Sequence, residues 1–368
     1  MKEERKRILE MVESGVLSAA EALTLLEELE KEQQSRQKKE EELLNELIVI
    51  EQNEKKEDRE DRQFKQAKSK LIDFMNSVLK KIKDFDFDFQ LGQSVDVSHV
   101  FHHADAYLTE MEFDIANGKI EIIPWDQQDV RLECQGKVYR TENYDEGRTT
   151  FLKNTIFSIE NGKLRFSTQL KLMKVDTRVY VPPAEYERIS VRIFNGPFSM
   201  KDVAVGKVKV KTANGKIELN KVAGDEFELE TANGHILLHD CQAEKIEAET
   251  INGKIEFDGD FSNVDLHSFN GNMKGRLHGD DVKVVSMKGV TGNLELELNR
   301  SLKLDGELKT YLGKLGVDIE GKEVLEEKDD VVHKQMRFVK KGHSVTPAYL
   351  FMETKTGSIT VKEREMTK

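Results

Sequence analysis

An Asn–Gly pair, or a near equivalent, recurs in front of a short alternating segment throughout the carboxyl-terminal two thirds of the chain. The copies read ANGKIEII from Ala116, ENGKLRF from Glu160, FNGPFSM from Phe194, ANGKIEL from Ala213, ANGHILL from Ala232, INGKIEF from Ile251 and FNGNMKG from Phe269. Weaker copies follow as VTGNLEL from Val290, YLGKLGV from Tyr311 and KTGSITV from Lys355. From Gly196 the glycines fall at positions 215, 234, 253, 271, 292 and 313, at intervals of 19, 19, 19, 18, 21 and 21. Self-similarity at a fixed period near twenty residues signals a repeat architecture, in which each unit buries its apolar face against its neighbours.

The apolar spacing inside each unit decides which architecture. Ile217 and Leu219 alternate with polar residues, as do Phe227 and Leu229, and the same places hold Ile236 and Leu238, Ile246 and Ala248, Ile255 and Phe257, and Val264 and Leu266. A period of two excludes helical repeats. Two strands and two turns fill one coil, and stacked coils pair each strand in parallel with its equivalents about 4.8 Å away. The sequence therefore predicts a mainly β chain, a parallel β-solenoid of about 19 to 21 residues per coil over residues 95–362. For residues 108–190 the spacing is irregular, and Asn–Gly turns closing antiparallel hairpins of a β-sandwich remain an alternative.

The corner pairs are Asn117–Gly118, Asn161–Gly162, Asn195–Gly196, Asn214–Gly215, Asn233–Gly234, Asn252–Gly253 and Asn270–Gly271. A sharp corner asks for positive φ, which glycine adopts freely and asparagine tolerates, and stacked asparagines can hydrogen-bond amide to amide. Both reasons are structural. The GGxGxDx pattern of calcium-binding β-rolls is absent.

Upstream of the repeat the chain reads as helix. Ile8, Met11 and Val12 form one apolar face and Leu23 and Leu26 another, with Gly15 between them and a Ser18-x-x-Glu21 capping box opening the second segment. A helical hairpin over residues 1–34 is too small to be stable alone, so its faces predict self-association, a protein partner or packing on a downstream helix of the same chain. Residues 35–63 form a charged connector: nineteen of the 32 residues from Lys31 to Arg62 are charged, with both signs mixed. Residues 64–94 hold a basic amphipathic helix. Phe64, Leu71, Phe74, Met75, Val78, Leu79 and Ile82 share an apolar face flanked by lysines that include Lys68, Lys80 and Lys81. This face fits either an anionic membrane surface or a cap on the first coil. The following DFDFDF, residues 84–89, alternates as a strand does.

The segment RVYVPPAEYERISVRIFNGPF from Arg178, followed by the TANGKIEL copies, resembles the bacterial adhesin-type β-solenoid domain. The leading ILEMVESGVLSAAEALTLLEELE resembles the short helical hairpin that precedes that domain in Firmicutes, and the combination resembles the YvlB/LiaX-like group. This resemblance implies a non-enzymatic protein of the cell-envelope stress response that meets cationic peptides, anionic lipid or a regulatory partner. It implies no catalytic residue and no cofactor. It also implies surface exposure, which needs an export route, whereas MKEERKRILEMVESGVL shows no signal peptide. A cytoplasmic or peripherally membrane-associated location is the expectation from the residues themselves.

The remaining chemistry is sparse. A formal charge of −12 disfavours general nucleic-acid binding, which needs surplus Lys and Arg. Cys134 and Cys241 stand far apart with no CxxC motif, so neither a zinc site nor a disulfide framework is expected. His99, His102, His103 and Asp105 have a spacing that a helix would bring together around a metal, but they match no metal motif and read as surface residues. The pairs Glu228/Glu230 and Glu247/Glu249 alternate with aliphatics and read as a solvated face. The alternative function, a carbohydrate-binding or carbohydrate-cleaving solenoid, would use such carboxylates. Trp125, Phe194 and Phe269 are expected to pack at coil ends and corners, and residues 143–154 and 320–335 to be exposed loops.

Overall fold

The computed structural model describes residues 93–330, 333–344 and 346–364. The expected hairpin, the charged connector, the amphipathic face from Phe64 to Ile82 and the DFDFDF segment lie outside the described residues. Within them, alternation of buried and outward side chains sets nearly every element. The amino-terminal part comprises β1 (Ser94–His103), β2 (Glu110–Asn117), β3 (Ile120–Pro124), β4 (Val130–Tyr139), helix α1 (Tyr144–Lys153), β5 (Thr155–Glu160), β6 (Lys163–Thr168) and β7 (Met173–Val181). The repeats supply β8 (Glu185–Asn195), β9 (Phe198–Lys201), β10 (Ala204–Asn214), β11 (Ile217–Asn220), β12 (Ala223–Asn233), β13 (Ile236–Asn252), β14 (Ile255–Asn270), β15 (Met273–Leu277), β16 (Val284–Thr291) and β17 (Leu294–Leu298). The last part holds β18 (Leu304–Leu312), β19 (Leu315–Asp318), β20 (Lys322–Asp329), β21 (Lys334–Lys340), β22 (Ala348–Thr356) and β23 (Ile359–Glu363).

Two parallel faces form the body. The long face runs β6, β2, β8, β10, β12, β13, β14, β16, β22, β18. The short face runs β7, β3, β9, β11, β13, β14, β15, β17, β23, β19, with β13 and β14 bending from one face to the other. Register follows the sequence period: Val210 pairs with Leu229, Leu229 with Ala248, and Ala248 with Leu266. Between the faces lies one aliphatic core, to which Ile217, Leu219, Ile236, Leu238, Ile246 and Ile255 contribute fully buried side chains.

The coils do not stack in chain order. The coil of residues 110–124 sits between those of 163–181 and 185–201, and the last coil, 348–363, sits between 284–298 and 304–318. The interval of 21 between Gly292 and Gly313 is therefore not a stacking step, because Gly357 lies between them: the Gly292 N–H donates to Thr356 O and the Gly357 N–H to Leu312 O, each at 2.9 Å. A buried ion pair, Lys340 Nζ to Glu363 Oε1 at 2.7 Å, ties the end of this inserted coil to β21.

Antiparallel strands finish both ends, so residues 108–190 are neither a sandwich nor a plain solenoid. β5 pairs antiparallel with β6, β4 with β7 and β1 with β4; at the other end β21 pairs antiparallel with β18, and β20 with β21. Such caps remove an open parallel edge. Two segments expected as loops are ordered for this purpose. Residues 144–153 form α1 because the Asn143 side chain caps its start, accepting the Asp145 N–H at 2.8 Å, and because Phe151 is buried against Gly136. Residues 322–329 and 334–340 pair antiparallel as β20 and β21, and the outer strand β20 is charged and wholly exposed.

The corner agrees with expectation in part: Gly118, Gly196, Gly292 and Gly357 take positive φ, at 134–149°, whereas at the other stacked glycines close approach is the cause. Of the corner asparagines only Asn161 has positive φ, at 51°. The rest form the amide ladder: the Nδ2 of Asn195, Asn214, Asn233, Asn252 and Asn270 each donates to the Oδ1 of the asparagine one coil back, at 2.9, 2.7, 2.9, 3.0 and 3.4 Å. At Gly234 it is close approach that demands glycine. A Cβ there would lie 1.9 Å from the Gly215 carbonyl oxygen. The same clash repeats along a column running 118, 196, 215, 234, 253, 271, 292, 357 and 313. Three residues before the glycine, buried hydroxyls of Thr212, Thr231, Thr250 and Ser268 donate to the preceding glycine's carbonyl at 3.0–3.4 Å.

Gly234→Ala has no room to relax, and a loss of about 3 kcal/mol or more is expected in equilibrium denaturation. Gly321→Ala tests the contrast. Gly321 has φ 73° but no atom within 4 Å of a Cβ, so about 1 kcal/mol of backbone strain is expected.

Candidate functional site

Outward side chains of the long face stand in rows across the coils, and opposite charges in these rows meet laterally. Lys207, Lys209 and Lys211 on β10 reach Glu226, Glu228 and Glu230 on β12 at 2.6, 2.5 and 2.5 Å. Lys245 on β13 returns to Glu226 and to Glu247, and at the other side Lys163 and Arg192 hold Glu112 and Asp114. Each pair is worth little by itself in water, but together they leave this face with its charges mutually satisfied.

One row breaks the pattern. Glu249 stands between Glu230 and His267 in register, with no ion pair of its own among the described residues. Burial pushes its carboxyl up to about 7, and the neighbouring Glu230, Asp265 and Glu247 push the same way against the pull of His267. Beside it, burial raises Asp265, but hydrogen bonds from His267 and Ser286 outweigh this and hold it below the ordinary aspartate range.

At a corner of the coils the surface sinks into a groove of about 510 Å³. The reason is local sequence. The column that begins at Glu185 continues through Ala204 and Ala223, and the adjoining column through Val205, Gly224 and Ala243, so three successive coils lack bulk there. Nothing larger fits at Gly224, where a Cβ would lie 2.0 Å from Val205 O. Five carboxylates rim the groove: Glu185, Asp225, Glu244, Asp260 and Asp281. Lys283 approaches Glu244 only at 4.0 Å, and Ser262 donates to Asp281 at 3.1 Å. The sequence reading missed this site, because alanines and glycines in aligned positions become a dent only once the register is known. It also missed a further corner, where Asp202, Lys221 and Asp240 take φ 54, 52 and 53° at the same nineteen-residue step without any dipeptide signature.

The histidines do not converge. They lie on strand β1, where alternation sends His99 and His102 to opposite faces. His99 packs edge-on to Phe101 with ring centroids 4.4 Å apart, and burial, then Arg148, holds its imidazole below the usual range. His102 bonds Asp129 at 2.9 Å. Among the described residues no group of His, Cys, Asp and Glu is arranged to hold a metal. The glutamates at 228, 230 and 247 are occupied by lysines as described. Trp125 packs on Tyr180 and donates to Asp129 O, while Phe194 packs against a small cluster formed by Ala213 and Ala232. Both cysteines are free and buried, and burial pushes the Cys134 thiol up to about 12. Among the described residues no helix is long and apolar enough to cross a membrane.

The model of the Toastrack DUF4097 family matches residues 108–341, and that of a SHOCT-like domain matches residues 3–34. Uncharacterized protein YvlB of Bacillus subtilis (strain 168) is 41% identical over 363 residues, covering 98% of this chain and 99% of its own. Two solved structures share much less sequence. A "putative adhesin" from Bacteroides fragilis NCTC 9343 is 9% identical with a TM-score of 0.41, over 73% of this chain and 97% of that one. A "putative lipid binding protein" from Parabacteroides distasonis ATCC 8503 is 13% identical with a TM-score of 0.39, over 73% and 97%.

Because the Glu249 carboxyl is raised from 4.5 to about 7 on folding, the folded chain binds its proton more tightly than the unfolded chain does. The stability it contributes is present below about pH 4.5 and is lost as the pH rises through about 7. Glu249→Gln should therefore raise stability at pH 8 by on the order of 2 kcal/mol and change it little at pH 4.5, read by urea denaturation at the two pH values.

Proposed function

The chain belongs to the Toastrack DUF4097 family, and from that premise we propose that it is a non-enzymatic binding and scaffold protein of the bacterial cell envelope, whose acidic groove receives a cationic partner. The observation that carries this reading is the contrast between the groove and the rest of the long face. Elsewhere on that face the acids, Glu249 apart, are mostly answered by basic side chains on the same or a neighbouring coil. Around the groove five carboxylates meet over a floor of small residues, and Glu185, Asp225 and Asp260 have no partner among the described residues. Field lines from such a rim favour a positively charged ligand and hasten its arrival. A cationic amphipathic peptide matches on both counts, with basic side chains for the rim and an apolar face for Ala204 and Ala223.

In the same reading the amino-terminal region supplies attachment. The faces at Ile8, Met11, Val12, Leu23 and Leu26 serve self-association or a regulatory protein, and the lysine-flanked face from Phe64 to Ile82 serves an anionic membrane surface. The envelope-stress role rests on the family resemblance. A second reading, carbohydrate binding, is supported by one observation: Tyr349 is 55% exposed on β22, with the half-buried Phe351 two residues along the same strand. Exposed rings of this kind can stack on sugars.

Fluorescence anisotropy with a labelled cationic amphipathic peptide tests the groove. Binding is expected to weaken with salt, and Asp225→Asn with Glu244→Gln to weaken it roughly tenfold at low salt. Unchanged affinity in the double variant would remove the groove from the account. For the membrane attachment, the full chain should sediment with anionic liposomes and a chain lacking residues 1–90 should not. Signal on a glycan array that Tyr349→Ala abolishes would favour the second reading.

A further inference from the structure

The chain carries seven Asn–Gly pairs, all within the described residues. Asn–Gly is the dipeptide most open to self-modification, since the glycine nitrogen is unhindered and can reach the asparagine side-chain carbon. Two locks can prevent this. One holds the side-chain amide and the other holds the glycine N–H.

Six pairs carry both locks. Their amides form the ladder described above, whose first rung, Asn117, donates to Lys171 O at 3.0 Å and Met173 O at 3.3 Å. Their glycine N–H groups donate across to the next coil: Gly118 to Asn195 O at 2.8 Å, Gly196 to Asn214 O at 2.8 Å, and Gly215, Gly234 and Gly253 to the asparagine carbonyls above them at 3.0 Å. Even at Asn270, the last and longest rung, the Gly271 N–H donates to Thr291 O at 2.9 Å.

Asn161–Gly162 carries neither. It is the two-residue turn of the β5–β6 hairpin, with φ of 51 and 77°, the backbone of a type I′ turn. Asn161 is exposed, its amide makes no hydrogen bond among the described residues, and the Gly162 N–H has no acceptor among them.

We propose that, among the seven Asn–Gly pairs, Asn161–Gly162 is the site of spontaneous deamidation, and that the stacked corner protects the other six pairs from the same chemistry. The Gly162 nitrogen, after losing its proton to solvent hydroxide, attacks Asn161 Cγ. A C–N bond forms, the Cγ–Nδ2 bond breaks, and the side-chain nitrogen takes a proton from water, restoring the hydroxide, and leaves as ammonia. Water then opens the resulting succinimide at either carbonyl, giving Asp or isoaspartate. No electron transfer is involved. The product places a new carboxylate at the end of the long face, and isoaspartate adds a backbone atom to the turn. That turn matters to the fold, because Gly162 O accepts from the Thr109 N–H at 2.7 Å and the Glu110 N–H at 3.1 Å, where β2 begins.

The test is peptide mapping of the full-length folded protein after incubation in mildly alkaline buffer, with a urea-unfolded sample alongside. In the folded protein Asn161 should convert faster than each of the other six by an order of magnitude or more, with isoaspartate among its products. In the unfolded chain all seven should convert at comparable rates. Conversion of the ladder pairs at the rate of Asn161 in the folded protein would overturn the proposal, as would an Asn161 that stays intact when folded while converting when unfolded.

Discussion

Everything in the β body follows from how closely the backbone passes itself at one corner. From Gly196 on, each glycine of the corner column lies over the carbonyl of the glycine below, at a separation that would put an added Cβ 1.8–2.2 Å from that oxygen at the eight positions from Gly196 to Gly313. A contact so close leaves no freedom of register. Once two corners are stacked, the hydroxyl three residues upstream meets the glycine carbonyl, the asparagine amides meet each other, and the aliphatics on both flanking strands fall into line. The parallel pairing of strands nineteen residues apart, which is costly in loop-closure entropy, is thereby fixed by many small local matches.

Two exceptions to the stacking order give the body its ends. A coil-by-coil solenoid frays from its last unit inward, since that unit has only one neighbour. Here the last coil in sequence is held on both sides, Thr354 donating to Gly292 O from 62 residues away, and Lys340 pairs with Glu363 under cover. The exposed edges are left to antiparallel strands, of which β20 is the charged one, whereas β5 exposes Ile156. The acidic groove lies at one corner of the in-register coils. The regular long face satisfies its own charges, whereas the groove arises where alanine and glycine replace larger residues in three successive coils.

The period, the strands and the inward aliphatics could be read directly, because alternation and a glycine every nineteenth residue are local signals. Ile217, Ile236 and Ile255 needed no structure to be placed in the core. The order of the coils could not be read: KTGSITV is equally compatible with stacking after YLGKLGV or before it, and only pairing tells them apart. Residues 144–153 looked like a loop because their composition is polar, but the Asn143 cap and the burial of Phe151 against Gly136 make them a helix. His99, His102 and His103 suggested convergence only while their element was unknown. Gly275 and Gly306 break the apolar columns in sequence, yet the rings of Phe257 and Phe338 fill their places.

Disulfide trapping across the interleaved coils measures the central claim most directly. Ser286 pairs with Phe351, and Phe351 with Glu307, so residue 351 separates the other two. A chain carrying Ser286→Cys and Phe351→Cys should close a bond under mild oxidation, while one carrying Ser286→Cys and Glu307→Cys should remain reduced. The reverse outcome, with 286 joined to 307 and not to 351, would mean that the coils follow chain order and that the glycine column does not run from Gly292 through Gly357 to Gly313.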